Sequence, residues 1–455
     1  MQEGLFVQAE LAADADVYLA QNAFDFDRRL DAGRMAAAFE HVLAANAATR
    51  LGFTTVADGR PVAFVGDGLG ARLTEIDLDG LDPDTAARRV DELTAADRTE
   101  AFDLRQPPLA RLTVLHLPGG RDRLLFTYHL LLWDGWSREL VLTQLFDAYR
   151  GEPGPAPRGR FTDYLDWIGA RDAAASAGFW RESFADLPAP TLLRPDAAGS
   201  EPVLAQRLSV EVPEDVTARL TAQARGVGVT LNALVSTALA LVLGHATGSS
   251  DVVLGTTVAG RPTELDDIDD VVGVFLNTVP ARVRLDPAAS VADTMRQVQR
   301  DRVDAMEHEY LGLGDIQRAV GRGQLFDNLY VLQNFLDDDT FSDLETRNGI
   351  VGVASVDATH YPLTWVVMPG RRLWVKLEHR PDLVDATEAA ALLGRLESVL
   401  TYLADADLAG SPSPRSRSRP TTRPRAPSGR SPTAPSPSCW PSRPPPPRCR
   451  GSDLR

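Results

Sequence analysis

Apolar residues along this 455-residue chain recur at two periods, and the first clear one is helical: Met35, Phe39, Val42 and Leu43 share a face over residues 31–47. Residues 50–56 and 60–65 then read as strands flanking Ala57-Asp58-Gly59, a hairpin signal in which glycine supplies the positive backbone angle. A helical pattern over 84–96 gives way to Phe102-Asp103-Leu104-Arg105-Gln106-Pro107-Pro108, which breaks regular structure. Two more strands, 111–117 and 123–129, surround a Pro118-Gly119-Gly120 turn. Leu140, Val141, Leu145, Phe146 and Tyr149 follow at helical spacing, with Ser137 placed to cap them. The proline-rich stretch 151–159 is a surface loop, and 161–167 reads as a packing helix.

Pro188, Pro190 and Pro195 exclude regular helix over 187–195, so the chain is expected to cross there from one lobe to another. Beyond it lie a strand over 204–212, a helix to 225, a long apolar helix over 230–245 and a strand over 251–258. Strands over 363–368 and 372–378 and a helix over 385–404 close the body. Such alternation predicts an α/β, mixed α+β architecture. The expected division is 1–180, 181–410 and a tail, 411–455.

The strand over 123–129 delivers His129 to the loop Leu130-Leu131-Leu132-Trp133-Asp134-Gly135-Trp136-Ser137. Loops at strand ends commonly carry function. One imidazole and one carboxylate five residues apart fit a buried ion pair as easily as a catalytic pair.

Charge and composition narrow the choices. The formal net charge is -16, yet residues 411–455 hold ten arginines against one acid, Asp453, so the body alone is near -25 (-16 minus +9). So acidic a body argues against nucleic acid as a partner. The four acids within 266–270 read as a solvated face, or as a dock for a basic partner. No apolar run reaches membrane-span length, and the start has no basic region ahead of an apolar core, so a cytoplasmic protein is expected. Both cysteines, Cys439 and Cys449, lie in the tail, and the seven histidines show no ligand spacing, so no metal site is expected. The tail's thirteen prolines and ten arginines cannot bury a core and predict disorder. The same bias is what a GC-rich gene gives when read out of frame.

Read back from Asp134-Gly135, the key loop resembles the His-His-x-x-x-Asp-Gly signature of condensation domains of nonribosomal peptide synthetases. His129 takes the first histidine position and Leu130 the second, the one usually assigned the catalytic role. A second dense resemblance is Val272-Gly273-Val274-Phe275-Leu276-Asn277-Thr278-Val279-Pro280-Ala281-Arg282, similar to the family's Val-Gly-x-Phe-x-Asn-Thr-x-x-x-Arg. Phe161 to Trp167, Phe326 to Asn334 and Thr359-His360-Tyr361-Pro362-Leu363 give weaker matches. Gln2-Glu3-Gly4-Leu5-Phe6 resembles the middle of the first family motif, so the true start is expected upstream.

The resemblance implies two chloramphenicol acetyltransferase-like lobes forming a V with a central tunnel. It implies that carrier proteins present thioesters on phosphopantetheine arms at opposite mouths, with no cofactor bound by the chain itself. It assigns motif roles to His129, Asp134 and Gly135, and pairs Arg282 with Asp134 across the lobes. It places Leu130, Trp133, Ser137 and Asn334 along the tunnel or substrate path, and offers His360 as a substitute base. An adenylation domain is expected downstream, where the tail stands. With Leu130 in place, no proton transfer or hydrogen bond is possible at that position. Three readings follow: an impaired amide-forming domain, a non-catalytic platform for carriers or a tailoring enzyme, and an acyltransferase-fold enzyme acting on a soluble thioester with another base.

Overall fold

The structure, a computed structural model, describes residues 2–11, 18–197, 203–333, 346–356 and 361–408. The first half runs α1 (Gln2–Leu11), β1 (Leu19–Phe26), α2 (Ala32–Ala45), β2 (Leu51–Thr55), β3 (Pro61–Val65), β4 (Leu73–Asp77) and α3 (Pro83–Thr99). It continues through β5 (Ala110–Leu117), β6 (Arg121–His129), α4 (Gly135–Arg150), α5 (Phe161–Gly169) and α6 (Ala173–Ser183). The second half holds β7 (Gln206–Val212), α7 (Glu214–Val227), α8 (Leu231–Thr247), β8 (Asp251–Val258), β9 (Asn277–Arg284), α9 (Val291–Ala305) and α10 (Leu313–Val320). It ends with β10 (Asn328–Leu332), β11 (Ile350–Val356), β12 (Leu363–Met368), β13 (Leu373–His379) and α11 (Ala386–Asp405).

Side-chain caps start these helices where the sequence offers them. Asp31 accepts from Arg34 N, Asp82 from Thr85 N with Pro83 in the first turn, and Thr230 from Ala233 N. The N-cap of α4 is Asp134, not Ser137: the Ser137 amide donates to the Asp134 carboxylate. Helix α8 is apolar on nearly every face and buried from Ala233 to Ala240, where each leucine contributes about 1.5–3 kcal/mol by leaving water.

Two sheets organise the body. The first has the order β11-β1-β6-β5-β4, and the second β7-β13-β12-β10-β8-β9. β1 runs antiparallel to β6 with Leu19 opposite His129, which fixes where the key loop leaves the sheet. α2 and α4 cover this sheet through Met35, Phe39, Val42, Leu145 and Phe146, all essentially without solvent exposure.

The halves interlock, so residue 181 divides the sequence but not the packing. β11 pairs with β1 at the edge of the first sheet, and Val272 and Ile350 belong to the first half's core. Strand β1 explains this acceptance: its Asn22 amide donates to Ser355 Oγ on β11 at 2.7 Å.

Candidate functional site

β6 ends at His129, whose amide donates to Leu109 O at 2.9 Å, while the Leu130 amide donates to Tyr18 O at 2.8 Å. The chain then turns on itself. Leu132 N donates to His129 O at 3.0 Å, and Leu131 N to His129 Nδ1 at 3.1 Å. His129 accepts the Leu131 amide proton through Nδ1 and is fully buried inside the loop. It braces the turn and does not face a substrate.

Leu130 is less deeply set than His129. Partly buried, it packs on Tyr18 and on the edge of the first half's core as an ordinary apolar side chain. Trp133 has no solvent exposure and lies 4.8 Å from the Tyr128 ring and 6.0 Å from that of Phe126. Trp133 is therefore a core residue rather than a substrate contact, because a large aromatic side chain contributes most when wholly packed.

Asp134 and Ser137 tie this loop to residues 273–276. One Asp134 carboxylate oxygen accepts from Ser137 N at 2.9 Å; the other accepts from Phe275 N at 2.9 Å and Leu276 N at 3.0 Å. Asp134 N donates to Gly273 O at 3.1 Å. The fully buried Ser137 hydroxyl donates to the same carbonyl at 2.9 Å and accepts from Gly273 N at 3.1 Å. Ser137, too, is part of the clamp and not of a substrate path. Gly135 is the first residue of α4, directly after this capping aspartate.

The expected Asp134–Arg282 ion pair does not form. Arg282 lies on the edge strand β9, where its guanidinium binds Asp251 bidentately at 2.9 and 2.6 Å and reaches Ser183 O at 2.9 Å and Asp186 at 2.6 Å. Those acids flank it on the neighbouring strand and the crossing segment, and they satisfy its planar fork. Arg282 thereby fastens the crossing segment to the second sheet.

The cation beside Asp134 is Arg261. Its guanidinium stands 3.9 Å from the carboxylate, donates to Ser137 Oγ at 2.9 Å and Val271 O at 3.0 Å, and bonds Ile268 O. It lies 4.0 Å over the Phe275 ring, and burial pulls its pKa below the usual value against the opposing pull of Asp134. The nearby Tyr164 hydroxyl, 3.4 Å from Phe275 O, is pushed up to about 12 by burial and by the Asp134 charge. The sequence signal for Arg261 was a single arginine between Gly260 and Pro262. A Cβ on Gly260 would stand 1.8 Å from Phe275 O at a φ of +65°, so only glycine lets the two segments meet. A Cβ on Gly273 would meet Phe161 at 2.3 Å, which is why α5 closes on this loop.

Asn334 and His360 lie outside the described residues. Among the described residues, no group of three or more His, Cys, Asp or Glu is placed to hold a metal ion, and no single helix is long and apolar enough to cross a membrane.

The condensation-domain family matches residues 1–408. This chain belongs to that family. The condensation domain is 30% identical over 412 residues to one of the subunits of linear gramicidin synthase of Brevibacillus parabrevis, covering 88% of this chain and 5% of that protein. It is 31% identical over 379 residues to chondramide synthase cmdD of Chondromyces crocatus, covering 80% of this chain and 9% of the other. The chain thus spans under a tenth of these relatives.

Among solved structures, it resembles the first condensation domain of the calcium-dependent antibiotic synthetase, bound to a substrate analogue, at a TM-score of 0.72 and 21% identity. That match covers 90% of this chain and 96% of the other. It also resembles the EpoB cyclization-docking bidomain from Sorangium cellulosum at 0.74 and 20% identity, covering 90% and 85%. These likenesses show the fold. Within it, the condensation domain has its motif loop fully braced, with a leucine at the second histidine position.

Proposed function

We propose that this chain acts in nonribosomal peptide assembly, joining two carrier-bound substrates by an amide bond, and that Leu130 makes it slow. The amine nitrogen of the acceptor attacks the donor thioester carbonyl, the C–N bond forms, the C–S bond breaks, and the thiol leaves with the displaced proton. The observation behind this reading is a complete loop clamp, Asp134 with Ser137 and residues 273–276, next to an aliphatic side chain at the base position. A positioned general base contributes on the order of 10²–10⁴ in rate, roughly 3–5 kcal/mol of barrier. Holding two tethered reactants together contributes independently of that base. The substrates would ride on phosphopantetheine arms, no cofactor would bind the chain itself, and the setting would be a cytoplasmic synthetase with an adenylation domain downstream.

A second reading rests on the same leucine: a platform that binds carriers, or recruits a tailoring enzyme, without chemistry. A carrier-to-carrier assay of the full chain, read by intact mass, separates the two. Product above a no-protein control, abolished in His360→Ala if that residue is the substitute base, supports slow condensation. No product while both carriers still bind supports the platform.

A further inference from the structure

We propose that a cavity in the second half of the chain, apart from the loop at His129–Ser137, binds a small organic ammonium compound with an apolar body. The cavity has a volume of about 170 Å³ and lies among α6, the first turns of α8, the edge strand β9 and α9. None of its lining residues belongs to the key loop or to the segment 260–276 that clamps it. The proposal therefore stands whether or not the chain condenses peptides.

Its walls divide by chemistry. Phe179 and Trp180 of α6 supply aromatic surface, and the Trp180 indole N–H is already engaged, donating to His308 O at 3.1 Å. The Trp180 ring is 2% exposed, and the Phe179 ring stacks on His308 at 4.2 Å, so the pair contributes apolar wall. Ser236 and Thr256 are each 7% exposed. The Ser236 hydroxyl makes only a long contact, 3.4 Å to Asn232 Oδ1, and Thr256 has no side-chain hydrogen bond among the described residues.

Charge decides the class of ligand. Three arginines and three acids line the cavity: Arg282 pairs with Asp251 and Asp186, Arg302 with Glu309, and Arg284 reaches Asp186 at 3.5 Å while also attracting Asp301 from a distance. Asp301 is not matched in this way. Its half-buried carboxylate accepts from Gln297 Nε2 at 2.6 Å, and among the described residues no arginine forms an ion pair with it. Burial raises its pKa above the usual carboxylate value against the hydrogen bond from Gln297 and the more distant attraction of Arg284 and Arg300. An ammonium group supplies a direct partner, and the apolar walls suit an apolar body. An anion would meet an unpaired carboxylate instead. Size sets the rest, since dry cavities of about 150 Å³ accept a benzene ring.

Binding to the full chain is tested by ligand-observed NMR and calorimetric titration with 2-phenylethylamine, and with 2-phenylethanol as the neutral compound of equal size. The amine is expected to bind saturably and more tightly than the alcohol. Asp301→Asn, an isosteric change, should weaken the amine about tenfold and leave the alcohol unaffected. Ala233→Leu, which fills the cavity from α8, should abolish binding of both, with circular dichroism confirming that each variant folds. No saturable binding of the amine to wild type would overturn the proposal, as would equal amine affinity in Asp301→Asn.

Discussion

Replacing Asp134 by Asn tests whether the motif aspartate is a clamp. The carboxylate accepts three backbone N–H groups, from Ser137 at 2.9 Å, Phe275 at 2.9 Å and Leu276 at 3.0 Å. Asparagine keeps one acceptor oxygen. If that oxygen stays with Ser137, its NH₂ group faces the two amides of residues 275 and 276, and both lose their acceptor. A buried donor left unsatisfied costs about 1–3 kcal/mol, so two cost roughly 2–6, with loop relaxation favouring a value of about 3. If the amide flips, the helix cap is lost instead, for about 1 kcal/mol. Urea unfolding of the full chain measures the difference. A double-mutant cycle then identifies the partner: Asp134→Asn should couple to Arg261→Lys, whereas Asp134→Asn with Arg282→Lys should add within about 0.5 kcal/mol. A loss below about 0.5 kcal/mol, or coupling to Arg282 in place of Arg261, would refute the clamp.

Gly260→Ala should destabilise the chain by roughly 2–4 kcal/mol, seen as a lowered melting temperature, because its Cβ would stand 1.8 Å from Phe275 O at a positive φ. His116 predicts a pH dependence. Burial opposes its charged form, but hydrogen bonds to Glu75 at 2.6 Å and buried Asp122 at 2.9 Å outweigh it and hold the pKa above the usual 6.5. A raised folded pKa gives stability that is complete below the unfolded value and is lost as pH rises through the folded one. The urea midpoint should therefore fall as pH rises through and above the ordinary histidine range, and His116→Gln should shrink that fall; an unchanged fall would exclude His116 as its source. Leu130→His should raise amide formation in the carrier assay by on the order of 10²-fold or more. No gain would mean that the surrounding walls do not hold the substrates.

Much of the architecture was legible because it follows local rules. β8 and β12 match their apolar runs residue for residue, and α2 and α8 begin within a residue of the expected starts, 31 and 230, where Asp31 and Thr230 cap them. β1 was not legible, although it lies beside β6 in the first sheet. It buries Gln21 and Asn22, which Asp97 and Ser355 satisfy from distant parts of the chain, so no alternation marks it. Helix α9 hid for a related reason: Val291, Met295 and Val298 are its apolar face, among many charged neighbours. At the site, Asp134 was readable as a loop anchor but its partner was not. Arg282 and Arg261 are equally cationic in sequence, and only the positions of Asp251 and Asp186 decide which arginine remains free to approach Asp134.

The loop's residues divide by the direction they face, and this limits what the motif can say about activity. His129, Trp133, Asp134 and Ser137 all serve the fold: a braced turn, a packed ring, a capped helix and a clamp on residues 273–276. In this chain those contacts hold the fold whether or not chemistry occurs. Leu130, partly buried, packs on Tyr18 and on the edge of the first half's core. There an apolar side chain gains packing and loses no hydrogen bond, so exchanging an imidazole for leucine carries no penalty in stability. A leucine at position 130 is therefore compatible with the structure around it. Presence of the clamp is evidence of a folded condensation domain, and evidence of catalysis must come from position 130 and from the walls it faces.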